Sequence, residues 1–181
     1  MTVASAIAKL KEIESKSLAR HALTVVDQAR GKEWRGIGFF VGETTLVTSM
    51  DSVVEVLDLE KCTRVPSSGQ WFEGIANVRG QLVPVSDLYS FVFDKPSFRD
   101  RNTRMIVFKM ASSVTGLIVS SVTGIRSFPQ ETMDQDYPEL DESIKPFVVG
   151  CFHRGGEDYP VFDFNRLVAN ERFMQITEFK E

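Results

Sequence analysis

The residues able to do chemistry in this sequence are few, and their spacing forms no catalytic or metal-binding pattern. The imidazoles are His21 and His153, and the thiols are Cys62 and Cys151. Catalysis requires a positioned nucleophile, acid, base or metal, yet neither a His-x-x-x-His nor a Cys-x-x-Cys pair is present. Both cysteines lie in apolar stretches, which predicts buried free thiols, and Cys151 and His153 would share a strand face as a structural pair. We therefore expect no enzymatic activity, no cofactor and no metal site.

Two other stretches could suggest ligand binding but lack the required pattern. The glycines between Gly36 and Gly42 are interleaved with β-forming residues and precede no Lys-Ser or Lys-Thr, so they do not predict a phosphate loop. The acidic residues between Glu131 and Glu142 lack the oxygen spacing and turn glycine of an EF-hand. This stretch predicts an exposed acidic excursion rather than a calcium site or a strand.

The composition indicates a folded, soluble protein. Of the 181 residues, 43% are apolar and 25% are charged, which is globular composition. The apolar runs fall far short of the ~20 residues of a membrane span, and the first residues lack the apolar core of a signal peptide. The net charge of −4 disfavours nucleic acid as a partner. We therefore expect a cytoplasmic protein with no direct membrane insertion.

The spacing of apolar residues predicts a helix followed by a mostly β chain. Between Ile7 and Val26 apolar residues recur at helical spacing among charged ones, which is typical of an amphipathic helix. From Gly36 onward, short β-forming runs alternate with Gly, Pro, Asp and Ser, as in small barrels. Residues 1–33 are expected to form a helical extension and residues 34–181 a β-rich domain of two related subdomains. The predicted strands are Gly36–Val41, Thr45–Ser49, Val53–Leu57, Thr63–Val65, Gly74–Arg79, Gln81–Val85, Arg104–Met110, Thr115–Ser120, Val122–Ser127, Val148–His153 and Tyr159–Phe162.

An internal repeat suggests that the β-rich part consists of two related units. Gly74–Leu88 and Gly150–Phe164 both contain a glycine, a strand, Arg-Gly, a second strand and Pro-Val-x-Asp. Glycine supplies the positive φ of a tight hairpin turn, and Asp87 and Asp163 are placed to cap a short helix after each hairpin. Chance similarity of short hairpins is the alternative. A shorter echo precedes each hairpin, at Leu46–Ser49 and Leu117–Ser120.

Two charged residues are candidates for a partner surface. Strict strand alternation places Glu55 on one face with Val53 and Leu57. A charge there either protects a sheet edge from aggregation or contacts a partner, and both interpretations stay open. Arg79 lies at the hairpin turn. Its side chain is either simply solvated or contacts a partner, and both interpretations stay open.

The segment Trp71–Leu88 resembles the signature of CheW-like domains, the adaptors of bacterial chemosensory arrays. Trp34–Phe39 and Ala76–Gly80 are more similar to the PilI subfamily of type IV pilus systems. Supporting segments lie in order around the signature, at Val53–Leu57, Thr63–Pro66, Gly116–Val119 and Pro160–Asp163.

The resemblance implies two side-by-side five-stranded SH3-like β-barrels and a non-catalytic adaptor, in agreement with the repeat. In this family a groove between the barrels receives the cytoplasmic tip of a methyl-accepting chemoreceptor, and other faces bind the regulatory domain of a CheA-type histidine kinase. Such an adaptor is recruited to membrane-associated receptor arrays and would here control twitching motility. Ser120 stands where the family usually has Asp. The positions that match the receptor groove are Val53, Glu55, Val56, Gly74, Arg79 and Gly80.

Other functions remain open at this stage. A double β-barrel that binds a small ligand would contain a concave apolar pocket with a few converging polar groups. An adaptor of flagellar chemotaxis would share the fold but not the pilus output. A nucleic-acid-binding barrel is disfavoured by the acidic charge balance.

Overall fold

The computed structural model describes residues 32–110, 113–136 and 139–175 of the chain. In this part the protein is mostly β, which confirms the predicted fold class. The strands are β1 Glu33–Val41, β2 Thr44–Ser49, β3 Val53–Asp58, β4 Cys62–Thr63, β5 Phe72–Val78, β6 Gln81–Asp87, β7 Arg104–Lys109, β8 Val114–Val119, β9 Ser121–Pro129, β10 Val148–Arg154 and β11 Glu157–Phe162. The short helices are α1 Leu88–Phe93, α2 Phe164–Val168 and α3 Glu171–Met174. The helical extension is predicted over residues 1–33, of which residues 1–31 lie outside the described part, while Glu33 already belongs to β1.

The predicted elements match the observed ones closely. Each predicted strand overlaps an observed strand, and α1 and α2 follow the two hairpins as the aspartate caps indicate. The poorest match is β4, which pairs with β5 through two residues and shares only Thr63 with its prediction. Within the described ranges, no helix has the length and apolar character needed to cross a membrane.

The strands form two sheets of equivalent topology. The first sheet has the order β10-β11-β2-β1-β9, and the second has the order β3-β7-β8-β6-β5-β4. When β4 is left out and the second order is read in reverse, as β5-β6-β8-β7-β3, each strand corresponds to the strand at the same place in the first sheet. The second sheet therefore has six strands where the resemblance implies five, because β4 adds to the edge of β5.

Each sheet is completed by a hairpin from the other half of the chain. The β1–β2 hairpin precedes the strands of the second sheet, yet it pairs with β9 and β11 in the first. The β7–β8 hairpin follows the first repeat and pairs with β3 and β6 in the second. In each sheet the incoming hairpin is joined by a parallel pairing. β11 pairs with β2, with Val161 opposite Val47, and β6 pairs with β8, with Val85 opposite Gly116. The hairpin that precedes each repeat therefore belongs to the sheet of the other repeat.

The core has three apolar clusters, and the largest lies between the sheets. Alternation along β7 places Met105 in the cluster of the second sheet and Phe108 in the cluster between the sheets. Phe108 stacks on Phe164 of α2 with ring centroids 4.3 Å apart. The first sheet has its own cluster, which contains Val47 and Phe152. The helices that follow the hairpins thus fill the space between the sheets.

Asp87 and Asp163 occupy equivalent positions at the ends of hairpins β5–β6 and β10–β11, but only Asp87 is fully buried. Asp87 accepts a hydrogen bond from the backbone N–H of Ser90 at 2.9 Å and so caps α1. It also accepts bonds from the Ser97 hydroxyl and, at 3.0 Å, from the Arg99 guanidinium. Asp163 caps α2 in an exposed position. Asp87 therefore anchors both a helix and the loop that follows it.

Gly74 and Gly80 both have positive φ, but their surroundings differ. Gly74 has φ of 127°, and a Cβ there would lie 2.1 Å from the backbone oxygen of Thr63 on β4. Gly80 has φ of 87° and open space on that side, while its N–H donates to the Asn77 side chain at 2.8 Å. Gly74 permits the close approach of β4 to β5, whereas Gly80 only completes a turn.

The substitution Asp87→Ala is expected to lower the free energy of unfolding more than Asp163→Ala. Either change removes a helix cap worth ~1 kcal/mol. Asp87→Ala also leaves the Ser97 hydroxyl without this acceptor and Arg99 with Glu73 alone, for a total loss of about 2–4 kcal/mol. Urea unfolding of the two variants measures the difference. Equal losses would contradict the anchoring role of Asp87.

Gly74→Ala and Gly80→Ala form a second matched pair. Gly80→Ala should cost about 1 kcal/mol, because it adds backbone strain alone. Gly74→Ala should cost about 3 kcal/mol or more, since strain is joined by a clash with backbone that cannot rotate away. Chemical denaturation compares the two. A Gly74→Ala variant as stable as Gly80→Ala would show that the β4–β5 contact is dispensable.

Candidate partner-binding site

All six positions that the resemblance assigns to a partner groove lie on the second sheet. Three of them belong to β3: Val53, Glu55 and Val56. Gly74 lies on β5, and the turn between β5 and β6 consists of Arg79 and Gly80. Positions separated in sequence are thus gathered on one barrel.

Glu55 and Arg79 form an ion pair across the closing edge of this barrel. Arg79 Nη2 lies 2.7 Å from Glu55 Oε2, with the Arg79 side chain 80% exposed and the Glu55 side chain 20% exposed. In the strand order, β3 lies at one edge, while the β5–β6 turn belongs to the other side of the sheet. The pair can therefore form only because the sheet curls until its two sides meet. The sequence singled out both residues but did not predict their contact.

A β-bulge in β3 changes which side chains share a face with Glu55. The pairing with β7 shifts between Val53 and Glu55. As a result, Val53 and Val56 pack against the cluster between the sheets, while Leu57 packs against the cluster of the second sheet. The expectation that Val53 shares the face of Glu55 and Leu57 is wrong, because the extra residue reverses the alternation at that point.

Exposed apolar side chains lie next to both charged residues along the chain. Val54, the extra residue of the bulge, is 52% exposed, and Leu82, soon after the turn, is 71% exposed. Sequence reasoning missed both, because Leu82 looked like an ordinary strand residue and simple alternation placed Val54 on the same face as Val56, opposite Glu55. Charged groups beside exposed apolar ones are the usual ingredients of a protein interface.

Ser120 has a structural partner in this chain. Its hydroxyl accepts a hydrogen bond from the backbone N–H of Gly42 at 2.9 Å, and its own N–H donates to the Phe40 carbonyl at 2.9 Å. These bonds tie the β1–β2 hairpin to the end of β8, so they link the two exchanged hairpins. The Ser120 hydroxyl thus stabilises the fold at a position where the resemblance leads us to expect an aspartate.

One cavity, next to β5 and α1, does not have the character of a small-ligand site. This cavity of about 480 Å³ is lined by charged side chains that include Arg64, Glu73, Asp94, Lys95 and Arg99. Ligand pockets are mostly apolar with few polar groups, so this cavity gives the ligand-binding alternative no support.

The two cysteines, both free, are not activated nucleophiles. Burial, with the negative charge of Glu73, raises the pKa of the Cys62 thiol. Burial also raises the pKa of the Cys151 thiol to about 11. Both thiols are therefore protonated at neutral pH, whereas a thiolate is the reactive form. Cys151 is buried as predicted, while Cys62 is only partly covered.

Comparison with known proteins shows which family this chain resembles. The CheW-like domain family matches residues 35–172. Protein PilI of Pseudomonas aeruginosa is 32% identical over 167 residues, which cover 92% of this chain and 93% of PilI. Chemotaxis protein CheW of Thermotoga maritima is 27% identical over 104 residues, which cover 57% of this chain and 68% of that protein.

A solved structure supports the fold. The scaffolding protein TtCheW from Thermoanaerobacter tengcongensis aligns with a TM-score of 0.65 at 22% identity, over 74% of this chain and 90% of that one. At this identity the likeness concerns the fold alone. Because the family match spans most of the chain and the PilI match nearly all of it, the chain belongs to the CheW-like domain family.

Proposed function

We propose that this protein is a non-catalytic adaptor that couples chemoreceptor cytoplasmic tips to a CheA-type histidine kinase in a chemosensory array. The observation that carries the proposal is the similarity to PilI over almost the full length of both chains. The protonated thiols described above and the charged character of the cavity favour action by positioning of partners rather than by chemistry. The adaptor is cytoplasmic and reaches the membrane through the receptors.

The receptor-contact surface consists of the six positions named above, which have different tasks. Val53 and Val56 hold β3 against the core, and Gly74 and Gly80 set the backbone of β5 and its turn. Glu55 and Arg79 are the two that present charged groups, and the exposed Val54 and Leu82 supply apolar area nearby. This division assigns recognition to the charges and shape to the remaining four.

The output of the array is type IV pilus twitching motility, with flagellar chemotaxis as the alternative. The relation to PilI favours the pilus. Deletion of the gene in its native cell should abolish twitching and spare swimming, and a loss of swimming alone would favour the flagellar alternative.

The adaptor function is tested by reconstitution. The purified protein, a receptor cytoplasmic fragment and a CheA-type kinase are combined, and ternary assembly is measured by sedimentation. We expect the kinase to co-sediment with the receptor only when the adaptor is present. Equal co-sedimentation without it would refute the proposed coupling.

Reversal of Arg79 should weaken receptor binding without unfolding the protein. An ion pair this exposed contributes roughly 0–1 kcal/mol to stability, so Arg79→Glu and Glu55→Arg should both keep a cooperative melt. If the receptor contacts these charges directly, each change should weaken binding about 30-fold, or ~2 kcal/mol. Binding is measured by calorimetry with the receptor fragment.

A charge-swap variant and a control separate recognition from shape. Glu55→Arg combined with Arg79→Glu restores an ion pair of opposite polarity, and it should remain as defective as the single variants. Recovery of affinity in the double variant would show that the pair only shapes the surface. Arg104→Glu is the control for a charge reversal on the same sheet, since Arg104 pairs with Asp58 at 3.4 Å with its own side chain 33% exposed. Wild-type affinity in all variants would move the groove elsewhere.

A further inference from the structure

Three side chains of metal-ligand type converge on the β10–β11 hairpin of the first sheet. Cys151 and His153 lie on β10 and Asp158 on β11, and one donor atom from each lies within 4.8 Å of the other two. The sequence predicted no metal site, because a Cys-x-His pair alone is not a ligand pattern. Asp158 joins this pair only when the hairpin closes.

The hairpin register holds the three donors in place. His153 lies directly opposite Asp158, and its Nδ1 is 2.6 Å from Asp158 Oδ1. Cys151 precedes His153 by two residues on the same strand, so both side chains point to the same face. The turn at Gly155–Gly156 has positive φ at both residues and fixes this register. The backbone of two paired strands, rather than a long loop, thus positions the cluster.

The surroundings favour a cation that enters from solvent. Asp134 and Cys151 exchange two backbone hydrogen bonds of 2.8 Å, which places an acidic segment beside the cluster. The negative charges of Asp134 and Asp158 lie close enough to interact electrostatically with both Cys151 and His153. The side chains of His153 and Asp158 are 48% and 45% exposed, whereas Cys151 is buried beneath them. An ion can therefore reach His153 and Asp158 from solvent and has negative charge around it, while the sulfur donor of Cys151 lies covered.

We propose that Cys151, His153 and Asp158 bind one divalent transition-metal ion of the zinc class, with water in the fourth position. Sulfur and imidazole donors select zinc or cobalt(II) over magnesium and calcium, which prefer oxygen ligands throughout. On binding, a metal–sulfur bond replaces the S–H bond of Cys151, and the thiol proton passes to solvent. Coordination of His153 and Asp158 replaces their mutual hydrogen bond, and the proton of the coordinating ring nitrogen passes to the other ring nitrogen or to solvent. The site is independent of the proposed adaptor function, because Glu55 and Arg79 lie on the second sheet.

The test uses the full chain without a histidine tag, stripped of metal with a chelator and titrated with Zn²⁺ and with Co²⁺. We expect one equivalent of zinc to bind with micromolar or tighter affinity, and cobalt to give a thiolate charge-transfer band in the near ultraviolet. Cys151→Ser should abolish that band, and His153→Ala should weaken zinc binding at least about tenfold. Cys62→Ser and His21→Ala are the matched thiol and imidazole controls and should leave both signals unchanged.

Three outcomes would overturn the proposal. The first is the absence of stoichiometric zinc binding by the wild-type chain. The second is a cobalt–thiolate band that survives Cys151→Ser and disappears in Cys62→Ser. If Cys151→Ser fails to fold, His153→Ala and Asp158→Asn still decide, because both replace half-exposed side chains and folding can be checked by circular dichroism. Unchanged zinc affinity in those two variants would also overturn it, whatever the receptor-binding result.

Discussion

Two parallel strand pairings, β6 with β8 and β11 with β2, hold the whole fold closed. A parallel pair cannot be joined by a tight turn, so the chain must leave the sheet between its two strands. After β6 it does so through α1 and the loop anchored by Asp87, and the next hairpin then returns to β6. Because each sheet needs a hairpin from the other half, neither half of the chain can bury its own apolar surface. The stack of Phe108 on Phe164 is one result, since it joins β7 of the second sheet to the helix after β11.

The same closure determines the character of the candidate site. When the second sheet curls, the β3 edge meets the β5–β6 turn, and Glu55 comes within reach of Arg79. The covered carboxylate orients an arginine that stays largely in water, so the pair adds little stability and leaves a fixed charge available to a partner. The rigid parts of the surface are provided by backbone geometry, above all by the close approach that Gly74 permits.

Local features of this protein could be predicted from its sequence, whereas several non-local ones could not. Alternating apolar runs and Arg-Gly turns predicted the strands, and Asp87 and Asp163 predicted the helices that follow. The bulge after Val53 could not be predicted, because it depends on the hydrogen-bond pairing with β7 rather than on apolar alternation. The hairpin exchange was also missed, since the repeat fixes the order of strands but not which copy they pair with. The contact of Glu55 with Arg79 needs the closed sheet, and the contact of Asp158 with His153 needs the register of the β10–β11 hairpin.

The arrangement of the two sheets along the chain sets the order in which they can form during synthesis. All strands of the second sheet lie between Val53 and Val119, so this sheet can close as soon as that stretch has left the ribosome. The first sheet must wait, because Val47 pairs with Val161. At translation rates of 5–20 residues per second, the β1–β2 hairpin stays without β11 for roughly 5–20 s, and the edge of β2 has no partner strand during that time. The barrel that carries Glu55 and Arg79 is thus the first to form, and the last step is the closure of the other barrel around a hairpin made long before.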